Sequence, residues 1–149
     1  MPHFLVLNGP NLNLLGSREP AIYGTATLAD VEDRLRTWGE TAGVAIDMRQ
    51  SNHEGDLIDW LHEAGETMDG VILNPGGLTH SSIALADAVA GIATPVIEVH
   101  ISNVFSREPF RSHSYVSRAA AGVISGLGIE GYLLAAQALL ARLGEHQEG

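Results

Sequence analysis

The sequence predicts an α/β fold: a three-layer sandwich in which one five-stranded parallel sheet is covered by helices on both faces. Three observations predict it. Short apolar runs of strand length alternate with helical patterns along the whole chain, and the connections between them are short. The 149 residues are 45% hydrophobic, enough for one domain to bury a continuous core.

The elements follow in order. His3 to Asn8 reads as a buried strand, and Ala45 to Gln50, Gly70 to Asn74, Pro95 to His100 and Gly122 to Ser125 read as four more. Thr27 with Asp30 forms a capping-box signature, after which Leu28, Val31, Leu35, Trp38 and Ala42 share one helix face. Ser51 with Glu54 repeats the signature ahead of a helix that turns Leu57, Ile58, Leu61 and Ala64 inward. A third helix is expected from about Ser81 to Gly91, and a last one from about Glu130 to Leu143. Residues 144–149 read as a flexible tail to a single domain spanning 1–149. Five strands so arranged suit the flavodoxin-like order 2-1-3-4-5. The third helix is apolar almost all round, which implies contact with another subunit.

Composition narrows the chemistry. With no cysteine there is no disulfide, thiolate nucleophile or thiolate metal site. A formal net charge of -10 argues against a nucleic-acid partner, whose phosphates need a basic surface. All eight basic residues are arginines, so neither a lysine Schiff base nor a P-loop lysine is available. The first residues run straight into a strand pattern without a basic leader, and no stretch approaches a membrane span. The expectation is a cytoplasmic protein without a membrane partner.

In an open parallel sheet, ligands bind beyond the carboxyl ends of the strands, where strand order reverses. Polar residues collect there. The first strand ends in Asn8-Gly9-Pro10-Asn11, the third in Asn74-Pro75-Gly76-Gly77-Leu78-Thr79-His80, and the fourth in Glu98-Val99-His100-Ile101-Ser102-Asn103.

Residues Gly16 to Gly24 form a glycine-flanked, proline-broken segment of the kind that serves as a lid, and it contains Arg18 and Tyr23. A free tyrosine ionises near pH ~10, so a phenolate base needs a nearby cation, and arginine always carries that charge. Taken alone, the segment reads more simply as a surface loop with an aromatic anchor. His100 and Glu98 lie two apart on a strand and so share a face, an arrangement open to a general acid with its orienting carboxylate or to a structural pair. His80 precedes Ser81-Ser82 at a helix start, where it could meet a polar ligand or merely flank a cap. Three arginines, Arg107, Arg111 and Arg118, follow the fourth strand, and one of them is expected to face the crevice. A metal site from His80, His100 and Asp87 lacks any tight ligand motif and is not expected. Gly126-Leu127-Gly128-Ile129-Glu130-Gly131 satisfies a dinucleotide fingerprint, yet no strand pattern follows to present a ribose-binding acid; tight-turn and packing glycines are expected instead.

Taken in order, Asn8-Gly9-Pro10-Asn11-Leu12-Asn13-Leu14-Leu15-Gly16, Arg18-Glu19-Pro20 with Tyr23-Gly24, Asn74-Pro75-Gly76, Thr79-His80, Glu98 to Asn103 and Arg111 resemble the type II dehydroquinases. The resemblance implies a 3-dehydroquinate dehydratase without cofactor or metal, in the shikimate or quinate pathway. It implies Tyr23 as base, helped by Arg18, and His100 as acid, oriented by Glu98. Asn11 would position a water on the enolate oxygen; Asn74, Ile101 and Ser102 would hold the carboxylate region, and His80 and Arg111 the ring hydroxyls. Asp87 would reach a neighbouring subunit's site, within trimers that commonly build a dodecamer. Two rivals share the fold: a flavin-binding or phosphate-accepting module, and a catalytically dead assembly protein. The first strand's asparagines, in place of an acidic cluster, speak against the first.

Overall fold

A computed structural model describes residues 1–148 of the chain, and side chains as far as residue 145. Five strands form the sheet: β1 (His3–Asn8), β2 (Ala45–Gln50), β3 (Gly70–Asn74), β4 (Val96–His100) and β5 (Gly122–Ser125). All pair in parallel, in the order β2-β1-β3-β4-β5 that the alternation predicts. Successive side chains of a strand point to opposite faces, so β1 sends Phe4 and Val6 into one core and Leu5 and Leu7 into the other.

Helices α2 (Leu28–Ala42) and α5 (Glu130–Glu148) cover the first face with Val31, Leu35, Tyr132 and Leu139. On the second face lie α3 (Glu54–Thr67) and α4 (Ile83–Ala90), with Leu57, Leu61, Leu85 and Val89. A fifth helix, the single turn α1 (Pro20–Tyr23), stands within the expected lid segment. Proline suits its first position because that N–H needs no helical partner there.

The capping box of α2 is present: the Thr27 hydroxyl accepts from the Asp30 N–H, and the Asp30 carboxylate accepts from the Thr27 N–H. The second expected box is not. Ser51 accepts from the His53 N–H and donates to Asp56 at 2.6 Å, while His53 becomes the cap residue of α3 without a side-chain bond. The competing carboxylate wins the serine. Two further boundaries shift. Ser82, not Ser81, caps α4 by accepting from the Leu85 N–H. α5 continues to Glu148, through residues read from sequence as tail, whereas Gly149 lies outside the described residues.

α4 buries Leu85, Ala88 and Val89 but leaves Ile83, Ala84, Asp87 and Ala90 exposed, so its outer apolar side has no cover among the described residues. The Gly126-to-Gly131 run acts structurally: Gly126 and Gly128 take φ values of 88° and 63°, and a side chain on Gly131 would press on Val99. Among the described residues no helix is long and apolar enough to cross a membrane.

Candidate active site

The site begins where β1 and β3 end side by side, Asn8 opposite Asn74. The loops leaving them touch. A Cβ on Gly9 would sit 2.6 Å from the Pro75 carbonyl oxygen, and one on Gly76, at φ 60°, would sit 2.9 Å from the Pro10 carbonyl oxygen. Only glycine permits these approaches, and they bring Asn11 and Gly76 into the lining of one crevice. Asn11 itself adopts a left-handed φ of 71°, fixed by its N–H donating to the Asn52 side-chain oxygen at 2.9 Å.

Beneath the crevice floor, the wholly buried Tyr132 of α5 ties the two strands together. Its hydroxyl donates to Asn8 Oδ1 at 2.7 Å and accepts from Asn74 Nδ2 at 3.0 Å. Burial raises the proton affinity of this phenol, so it remains a donor. The Asn74 oxygen accepts from the Gly76 N–H, which sets the whole amide.

A cavity of about 170 Å³ opens above, walled by Asn11, Arg18, Tyr23, Asn74, His80 and His100 together with Ile101, Ser102, Arg107 and Arg111. Nine of the residues singled out in the sequence are thus brought together: Asn11, Arg18, Tyr23, Asn74, His80, His100, Ile101, Ser102 and Arg111. Glu98 stands behind His100, buried to 1% exposure, with its Oε2 2.5 Å from His100 Nε2. An ionised carboxylate only accepts, so Nε2 carries the hydrogen and Nδ1 is left to meet a ligand. Asp87 does not join the cavity, because it lies on the exposed side of α4. A larger, open hollow of about 650 Å³ adjoins the site through Tyr23, Ser102 and Arg107, and is walled otherwise by Ile22, Asn103 and Glu108.

Arg107 is one of the three arginines that the sequence did not tell apart. Its Nη1 donates to the Tyr23 hydroxyl at 2.6 Å and lies 3.3 Å from Ser102 Oγ. Arg18 meets Tyr23 differently, with its guanidinium carbon 5.2 Å from the ring centre. Two of the three clustered arginines therefore face the crevice, Arg107 and Arg111, where one was expected; Arg118 does not line it. Arg111 is held by an ion pair with Glu108. Three guanidinium groups around one small cavity make it electropositive in a chain of net charge -10.

His80 ends a 3-10 turn, Gly76–His80, and its Nδ1 donates to the His113 carbonyl at 2.8 Å, which turns Nε2 to the cavity. Burial holds its imidazole below the usual value, with the charges of His100 and Arg111 adding to the effect against the pull of that carbonyl. His3, His53 and His62 stand apart from the cavity. Among the described residues no group of three or more His, Asp or Glu side chains is placed to hold a metal ion.

Sheet order and crevice together define an α/β enzyme of flavodoxin-like topology, with its site at the carboxyl edge of the central strands. Comparison with known proteins narrows the class. The sequence profile for dehydroquinase class II matches residues 2–140. The chain is 59% identical over 145 residues to "3-dehydroquinate dehydratase 2" of Ralstonia nicotianae, covering 94% of each chain. To "3-dehydroquinate dehydratase" of Variovorax paradoxus it is 60% identical, covering 94% of this chain and 99% of the relative. The crystal structure of a type II dehydroquinase from Propionibacterium acnes superposes with a TM-score of 0.90 at 46% identity, over 93% of this chain and 96% of that one. The chain belongs to the dehydroquinase class II family, and with it to the lyases.

Proposed function

We propose that the protein is a 3-dehydroquinate dehydratase, which eliminates water from 3-dehydroquinate in the anti sense to give 3-dehydroshikimate. The observation that carries this reading is the joint presence, on the walls of one electropositive cavity, of an arginine-bonded Tyr23 and a Glu98-bonded His100. The family's name and its relatives' names supply the substrate.

Tyr23, as phenolate, takes the C2 proton beside the substrate ketone. Two guanidinium groups support negative charge on that oxygen: Arg107 by a direct bond and Arg18 from over the ring. The electrons move to the ketone oxygen as an enolate, and Asn11 positions a water to stabilise it. His100 then protonates the C1 hydroxyl, which departs as water while the C1–C2 double bond forms. Proton exchange with solvent resets both groups.

Binding is assigned to the remaining walls. Ile101 and Ser102 hold the substrate carboxylate with Asn74 nearby, and His80 and Arg111 hold ring hydroxyls. No cofactor enters this scheme. Asp87, outside this chain's own cavity, serves a neighbouring subunit's site; the uncovered apolar side of α4 supports a trimer, assembled further to a dodecamer. The reaction belongs to the shikimate or quinate pathway.

The test is ultraviolet detection of the conjugated product from 3-dehydroquinate. The native protein should turn over, whereas Tyr23→Phe and His100→Ala should fold but each lose about 10²–10⁴-fold in kcat. Full activity in either variant removes that residue from its role, and no product from the native protein ends the dehydratase reading.

A further inference from the structure

Glu98 needs an account of its own, because a carboxylate this deeply buried must have its lone pairs satisfied. Among the described residues its side chain has two partners. His100 Nε2 meets Oε2 at 2.5 Å, and the Ser117 hydroxyl lies 2.9 Å from Oε2 and 3.0 Å from Oε1. Ser117 is thus the partner of Oε1, and it binds across the fork of the carboxylate.

The direction of these bonds follows from counting hydrogens. An ionised carboxylate only accepts, so the single Ser117 hydroxyl hydrogen points at Glu98, shared between both oxygens. Ser114 Oγ, 2.8 Å from Ser117 Oγ, then donates to it, and in turn accepts from the Ser117 N–H at 2.9 Å. Hydroxyl hydrogens run one way, from Ser114 to Ser117 to Glu98, and the imidazole donates from the other side. The segment carrying these serines is anchored: Val116 is fully buried, and the Tyr115 N–H donates to the Thr79 carbonyl.

We propose that Ser117 is a positioning residue for the acid, its hydroxyl fixing the plane of the Glu98 carboxylate and through it the ring of His100. The proposal rests on the acid role given to His100 above. Without the hydroxyl, Oε1 loses its partner and the carboxylate is free to turn about its last bond. The imidazole then no longer presents Nδ1 at one angle. Such a loss affects proton delivery and leaves ground-state contacts with the substrate intact, so it belongs in kcat and not in KM.

The experiment is steady-state kinetics on Ser117→Ala, Ser117→Thr and Ser117→Cys, with circular dichroism as a check of folding. Ser117→Ala should lower kcat about 10-fold, the scale of one hydrogen bond to a charged group, with KM unchanged within error. Ser117→Thr keeps the hydroxyl and should recover most of the loss. If Ser117→Ala does not fold, Ser117→Cys decides, because its thiol fills the space with a weak donor and should still depress kcat. In a Glu98→Ala background, Ser117→Ala should add no further loss. A native kcat in the folded alanine or cysteine variant overturns the proposal, as does a loss that multiplies with that of Glu98→Ala. His100→Ala separates the two levels: if it is inactive while Ser117→Ala is native-like, only the serine's role fails, and if it is fully active the acid assignment itself has failed.

Discussion

Arg107 and Tyr23 are 84 positions apart in sequence, yet the arginine's Nη1 lies 2.6 Å from the phenolic oxygen. The arginine is itself nearly buried, at 11% side-chain exposure, with Glu19 3.9 Å from its other terminal nitrogen. A charge so placed, with little water to screen it, acts on the Tyr23 oxygen more strongly than a mobile surface cation would.

Removing it should therefore hurt the chemical step. Arg107→Ala is expected to lower kcat about 10²-fold, because the phenolate that serves as base loses its directly bonded cation. Arg107→Lys keeps the charge but not the planar fork that reaches both Tyr23 and Ser102, and should recover only part of the rate. Initial rates from the ultraviolet assay decide it; an alanine variant with native kcat would leave Arg18 alone to support the phenolate.

Much of this was legible in the sequence, and the boundary has physical causes. Strand order, the α2 capping box and the gathering of Asn11, Asn74 and His100 at one sheet edge follow from local periodicity and a general rule about parallel sheets. The false cap at Ser51 shows where local pattern fails, since Glu54 has the right spacing but Asp56 captures the hydroxyl. Arg107, Ser117 and Tyr132 were not separable from their neighbours for a different reason. Each acts through a contact made by tertiary folding; Tyr132 reaches Asn8 across 124 positions, and no spacing rule connects them. Among the loop arginines, the fold alone distinguishes the one that touches Tyr23.

The outer side of α4 carries the second prediction. Ile83 is 59% exposed beside Ala84 and Ala90, and covering such a stripe is the ordinary basis of helix contact between subunits. The native protein should sediment as an oligomer, and Ile83→Asp should shift it toward smaller species by burying an unpaired charge at the contact. If Asp87 serves a neighbour's site, turnover should fall together with assembly. A monomeric native protein in analytical ultracentrifugation would remove both the trimer and that role for Asp87.

His80 carries the third, through pH. The folded protein holds its imidazole below the ordinary value near 6.5, by burial first and then by the charges of His100 and Arg111. The unfolded chain therefore binds this proton at a higher pH than the folded one, and stability rises with pH wherever that difference persists. Destabilisation from His80 should begin as pH falls through about 6.5 and be complete below the folded midpoint. Urea unfolding between these limits should show a slope against pH that His80→Gln reduces. Arg111→Ala removes one of the lesser charges, so an NMR titration of the His80 ring should move up yet stay below the ordinary value, because burial is the larger cause. A native ring that titrates at or above the ordinary value would show that the carbonyl of His113, which pulls the other way, outweighs burial.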